Sequence, residues 1–196
     1  MIKYIKQGLA LSTITDKKIR TDDFAELESL KARLMDRFES PIGWHTSGMP
    51  IILSFVCALI SFALIQAPLW IAIFQWFDLP RQTVFMGIFP ALALFCVLAV
   101  SAMMAISRGF LLGLKLFLLL IALTAVGSTA IFIVSSISSV SAAEGSLGRL
   151  IGAALGLIFI IFSGQCLNSR IFVRSIAYAL HNRVWRKQLK IQPHAR

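Results

Sequence analysis

Chemistry inside an apolar chain needs carboxylates or imidazoles at depth, where they can hold a proton or an ion or activate water. Between residues 50 and 167 this chain has only two acidic residues, Asp78 and Glu144, and no histidine. Both acids fall between apolar runs and not within them. His45, His181 and His194 lie far apart and have no cysteine or acidic neighbours at ligand spacing, so no metal site is expected. Cys57, Cys96 and Cys166 all sit in apolar runs without a CxxC pair and read as packing residues. There is no Gly-x-Ser-x-Gly elbow and no Walker sequence. The expectation is a protein that is not an enzyme and carries no cofactor.

The polar groups within the apolar runs are uncharged: Gln66, Gln75, Ser101, Thr124, Ser128, Thr129, Ser135 and Gln165. Such groups ordinarily bond one membrane helix to another. Gln66, about sixteen residues into the first run, is the most embedded of them. A second feature is a glycine series, Gly148, Gly152 and Gly156, with Gly164 two further steps of four along. Missing side chains let a neighbouring backbone approach closely, which makes these four the expected helix-packing residues.

Two further groups suit recognition. Arg170, Arg174, Arg183, Arg186, Lys187 and Lys190 surround an apolar face of Val173, Ile176, Ala177, Leu180 and Val184. A basic amphipathic segment beside a span is expected to bind anionic lipid headgroups. Phe24, Leu27, Leu30, Leu34 and Phe38 recur at spacings of three and four and form an apolar stripe. That stripe needs a partner: the tail of the same chain, a second copy, the membrane surface or another protein.

These residues must be positioned by helices. The chain has 196 residues, 58% of them hydrophobic and 14% charged, with a mean hydropathy of +0.81. Soluble domains carry about 25% charged residues, so the apolar excess belongs in lipid. Four spans are predicted, over 50–77, 82–106, 110–137 and 147–167. They form an all-α, four-helix transmembrane domain over 50–167. Residues 1–49 precede it as an amphipathic helical segment and 168–196 follow as a basic helical tail. Residues 1–11 place Ile2, Ile5 and Leu9 on one face of a short basic helix. A clearer helix covers 22–39, with Thr21 as N-cap and Asp22 and Asp23 against the positive end of its dipole. Ser141 and Glu144 have capping-box spacing before the fourth span. With no glycine or proline between Gly164 and Pro193, the fourth helix is expected to run on to about Leu189.

Charge gives the orientation. Seventeen basic residues fall on the side of the two termini and the 107–109 turn, against Arg81 and Arg149 on the other. This bias predicts cytoplasmic N and C termini in a cell (inner) membrane. It also accounts for the net charge of +10 without nucleic acid. The opening residues lack the apolar core and cleavage site of a signal peptide, so insertion is expected to depend on the internal spans. Seven of nine acidic residues lie within 16–39, where they could pair with the basic tail.

The expected function is that of a non-catalytic subunit of a multiprotein inner-membrane complex of secretion, conjugation or envelope machinery. Its partners would be membrane lipids and other membrane subunits or further copies of itself. An immunity or exclusion protein acting through helix contacts, and a small oligomeric channel or transporter for uncharged solutes, are the alternatives.

Overall fold

The computed structural model describes residues 2–20, 23–37, 43, 48–140 and 146–191. Thr21, Asp22, Phe38, His45, Ser141, Glu144 and His194 lie outside them. The described residues form seven α-helices and no strand. These are α1 (Lys3–Lys18), α2 (Phe24–Met35), α3 (Met49–Trp76), α4 (Val84–Ser107), α5 (Leu111–Val140), α6 (Ser146–Leu167) and α7 (Arg170–Ile191). Helices α3 to α6 are long and apolar enough to cross a membrane. Their bounds fall within a few residues of the four predicted spans.

The chain divides into two compact units. The first joins residues 1–53, 101–117 and 165–196; the second joins 54–100 and 118–164.

In the first unit α7 is the hub, packing along both α1 and α2. Helix α2 begins at Asp23, whose carboxylate accepts the amide of Ala25 at 2.9 Å and so satisfies an orphan donor. Leu27, Leu30 and Leu34 are buried, each worth about 1.5–3 kcal/mol relative to exposure. The tail of the same chain therefore covers this stripe, and these three leucines are not open to another molecule. Phe24 remains 41% exposed.

Helix α1 differs from the expected pattern. Its buried residues are Gly8, Ser12 and Thr15, followed by Ile19 just beyond the helix, whereas Ile2 and Ile14 are exposed. Small residues at steps of four and three (Gly8, Ser12, Thr15) let α1 lie close on α7: a Cβ at Gly8 would meet the Phe172 ring at 3.0 Å. The expected continuous helix from the fourth span into the tail is also interrupted. Helix α6 ends at Leu167, and Ser169 caps α7 by accepting the Phe172 amide at 3.1 Å. Asn168 accepts the Tyr4 amide at 3.0 Å, which ties the break to α1. Side-chain capping, not glycine or proline, ends one helix and starts the next.

The second unit is organised around α3. Phe62 of α3 stacks on Phe95 of α4 with ring centroids 4.3 Å apart. Ala58, Phe95, Ala99, Leu120 and Ile160, one or more from each of α3 to α6, form its buried apolar centre. At its other end α3 closes with Leu79 N–H donating to Phe74 O at 2.9 Å and Asp78 N–H to Gln75 O at 3.3 Å. This arrangement places Asp78 at a φ of 52°, a left-handed position that glycine usually fills.

Candidate functional site

Two groupings of polar residues stand out, one in each unit. In the second unit, Ser61 of α3 donates to the carbonyl of Gly156 at 2.8 Å and bonds the hydroxyl of Ser128 at 2.9 Å. Three helices thus meet at one hydroxyl. Ser54 and Ser163 form a second link between α3 and α6, with their Oγ atoms 2.8 Å apart and Ser163 Oγ also 3.0 Å from Ser54 O. All four serines are buried. In lipid, where apolar surface gives no drive to associate, close approach and such bonds hold helices together.

Gly156 belongs to this junction: a Cβ there would meet Ile65, Ser61 and Leu64 at ordinary contact distances of 3.7–3.9 Å. Among the described residues, nothing lies within 4 Å of a Cβ built at Gly148, Gly152 or Gly164. Helical geometry explains the separation. Each step of four turns about 40° beyond a full circle, so Gly148 and Gly164 are about 160° apart around the axis. The buried face of α6 is instead Ala153, Gly156, Ile160, Ser163 and Leu167, whose alternating threes and fours hold one direction. Gln66 also finds a different partner from the expected one. It is 2% exposed and accepts from Trp70 Nε1 at 2.7 Å within α3 itself. The Trp70 ring lies so close to Gly87 of α4 that a Cβ there would fall 2.3 Å from it.

The second grouping, in the first unit, is built on the turn after α4. Gly109 N–H donates to Ile106 O at 2.8 Å and Phe110 N–H to Ala105 O at 2.9 Å, the paired bonds of a Schellman ending. Gly109 has a φ of +80°, and a Cβ there would sit 2.9 Å from Ala179 O, so both backbone angle and space demand glycine. The tight turn brings Arg108 and Phe110 against α7. Arg183 of α7 then donates to Gly109 O at 3.0 Å and to Asp16 Oδ1 of α1 at 2.8 Å, with its guanidinium 4.7 Å from the Phe110 ring centre. Arg186 donates to Arg108 O at 3.1 Å, and Lys187 to Ile19 O.

Around this lock lies a cavity of about 520 Å³ lined by Ile19, Arg108, Phe110, Arg183, Arg186, Lys187 and Lys190. Of the six tail cations predicted to meet headgroups, four therefore converge. Arg170 is instead held by Tyr4, donating Nε to its hydroxyl at 3.0 Å, and that bond lowers the Tyr4 pKa and raises that of Arg170. Arg174 does not line the cavity. The expected pairing of acidic N-terminal residues with the tail is present in Arg183–Asp16 and in Gln188, which donates to Glu28 at 2.7 Å. Gln188 and then Lys31 hold the Glu28 carboxyl below its usual range. His181, half-buried on α7, has its pKa lowered by burial, with Lys31 reinforcing the shift and Asn182 and Glu28 opposing it.

Sequence reading missed Ser54, Ser61 and Ser163, although the 4-3-4 series Ser54, Ala58, Ser61, Ile65 on α3 was visible in it. It counted Arg108 for orientation only, because nothing local to that residue shows the neighbours that α1 and α7 supply.

The class defined by these features is an all-helical chain with four helices long and apolar enough to span a membrane. Comparison with known protein families, characterised proteins and solved structures finds no match.

Proposed function

We propose that the chain is a non-catalytic subunit of a multiprotein complex in an inner membrane, of the secretion, conjugation or envelope type, with both termini cytoplasmic. The observation that carries this reading is the open ground at Gly148 and Gly152. Gly148 and Gly152 form a GxxxG pair near the start of α6, and among the described residues nothing lies within 4 Å of a Cβ at either. A small-xxx-small pair in a span suits close approach by another helix. Gly156, the third member of the series, is already occupied by α3 within the chain. The occupant proposed for the open pair is a transmembrane helix of a different subunit.

The test is purification of the full chain in mild detergent through a C-terminal tag, with native mass and co-purifying chains measured together. Stoichiometric foreign subunits that are lost on Gly152→Ile, while the Gly156→Ala variant keeps them, are expected. A lone chain, or a homo-oligomer indifferent to Gly152→Ile, overturns the proposal.

A further inference from the structure

A second cavity of the first unit, about 230 Å³ in volume, lies where α7 passes the start of α3 and the end of α4. Helix α7 starts at Arg170, just after α6 ends, and its Arg183 reaches the carbonyl of Gly109 in the turn after α4. The helix between those two residues rises about 20 Å, so α7 lies across this end of the spans and does not lead away from it. The lining changes character between the span side and the α7 side. Ile51, Ile52, Met103 and Ile106 line it from the two apolar helices. From the other side α7 supplies Ser175, Tyr178 and Asn182, joined by Ser107 at the last residue of α4. Among the described residues, no charged side chain lines this cavity. Ser107 and Ser175 donate to carbonyls of their own helices at 2.8 and 3.0 Å.

We infer that this cavity seats one acyl chain of a glycerophospholipid, with the chain along Ile51, Ile52, Met103 and Ile106 and its ester region against α7. The order of the lining carries the assignment. A phospholipid has hydrocarbon at depth, uncharged ester oxygens at the interface and its charge outermost. Here the apolar wall belongs to the spans and the uncharged polar wall to the helix lying across their end. Tyrosine, present as Tyr178, is favoured at that level, and the Asn182 amide carries two N–H donors that suit ester oxygens. Sites that enclose a whole small ligand measure roughly 300–1,000 Å³. The smaller volume here suits one segment of a longer molecule whose remainder stays outside. Ile52 is 41% exposed, so a chain enters from the lipid side without parting the helices. The inference requires α3 and α4 to cross a membrane and is independent of the helix proposed to meet Gly148 and Gly152.

The full chain is reconstituted into dioleoyl phosphatidylcholine nanodiscs doped with phosphatidylcholine that carries a diazirine in one acyl chain, near its carboxyl or near its methyl end. After irradiation, adducts are mapped by peptide mass spectrometry. In parallel, native mass spectrometry in mild detergent counts the phosphatidylcholine retained. The carboxyl-end probe is expected to label Tyr178 or Asn182, the methyl-end probe Met103 and Ile51, and one phosphatidylcholine should stay with each chain. Ile52→Trp narrows the mouth from an already exposed position. It should lower Met103 labelling and the retained lipid about tenfold, the loss that withdrawing about two buried methylenes implies. Leu112→Trp, at an exposed position of α5 outside the cavity, should change neither. Met103 labelling that Ile52→Trp leaves unchanged marks an ordinary boundary lipid and overturns the inference. So does the reverse order of the two probes along the cavity, or no labelling by either. The wild-type map is read without any variant, so poor folding of Ile52→Trp leaves the test standing.

Discussion

The two units solve the same problem, fixing one helix against several, with different residues. In the first, α7 is held by buried leucines of α2, by an ion pair from α1 and by cation contacts to the 107–110 turn. In the second, α3 is held by four serines, by glycine clearance at Gly127 and Gly156, and by an aromatic stack. The first set draws on hydrophobic burial, which needs water as the alternative. The second draws on close contact and hydrogen bonds, which remain effective where the alternative is lipid. Each unit should therefore respond to a different kind of substitution.

The largest effect is expected from Leu34→Ala, which leaves a cavity at a fully buried position of α2. Such truncations cost about 2–5 kcal/mol. Limited proteolysis should then release the segment before α3 well before the spans unfold. Simultaneous loss of both units would contradict the contrast. Gly156→Leu is the matching test in the second unit. A Cβ there meets ordinary contacts, so Gly156→Ala should be tolerated, whereas leucine must displace Ile65 or Ser61. Overpacking of this kind costs about 1–3 kcal/mol, to be read as a lower thermal midpoint in detergent.

A gain is expected from Thr15→Val. The Thr15 hydroxyl is buried on α1 with no hydrogen-bond partner among the described residues, and an unsatisfied buried polar group costs about 1–3 kcal/mol. Valine keeps the shape and removes the penalty, so denaturant midpoints should rise; a fall would mean the hydroxyl is satisfied in solution. Ser61→Ala should cost less, about 0.6 kcal/mol for each bond lost, and Ser128→Ala should add little once Ser61 is gone.

These contrasts also explain what could be read in advance. Long apolar runs announce α3 to α6 because lipid tolerates nothing else, and the α2 stripe is legible because leucines at steps of three and four have one meaning. The α1 face was not legible, since Gly8, Ser12 and Thr15 resemble a solvated face until Phe172 is placed over them. The glycine series of α6 was legible only in part, for a geometric reason: equal steps of four look like one stripe in sequence but wind around the helix, so Gly156 meets α3 while a Cβ at Gly148, Gly152 or Gly164 meets nothing within 4 Å among the described residues. The basic cavity depends on a turn, α1 and the far end of α7 arriving at one place, and no local pattern encodes that. Nor does a polar dipeptide such as Asn168–Ser169 announce that it will end one helix and cap the next.

The smallest expected effect is a pH dependence confined to the first unit. Residues 54–100 and 118–164 contain no histidine, whereas His181 lies on α7 with Asn182, Lys31 and Glu28 acting on it. Burial lowers its pKa below the usual 6.5. The unfolded chain therefore binds a proton more readily than the folded one over that interval, and stability falls as pH drops below about 6.5 towards the lowered folded value. Glu28 acts in the same direction but later. Its folded pKa lies below the usual 4.5, so its contribution is present above that pH and lost as pH falls beneath it. Proteolytic release of α7 should thus accelerate between pH 7.5 and 5.5, and His181→Gln should flatten that step while leaving the one below pH 4.5. If the wild-type rate is level from 7.5 to 5.5, then His181 is as accessible to protons in the folded chain as out of it. The packing of α7 against α2 is then looser than its buried leucines imply.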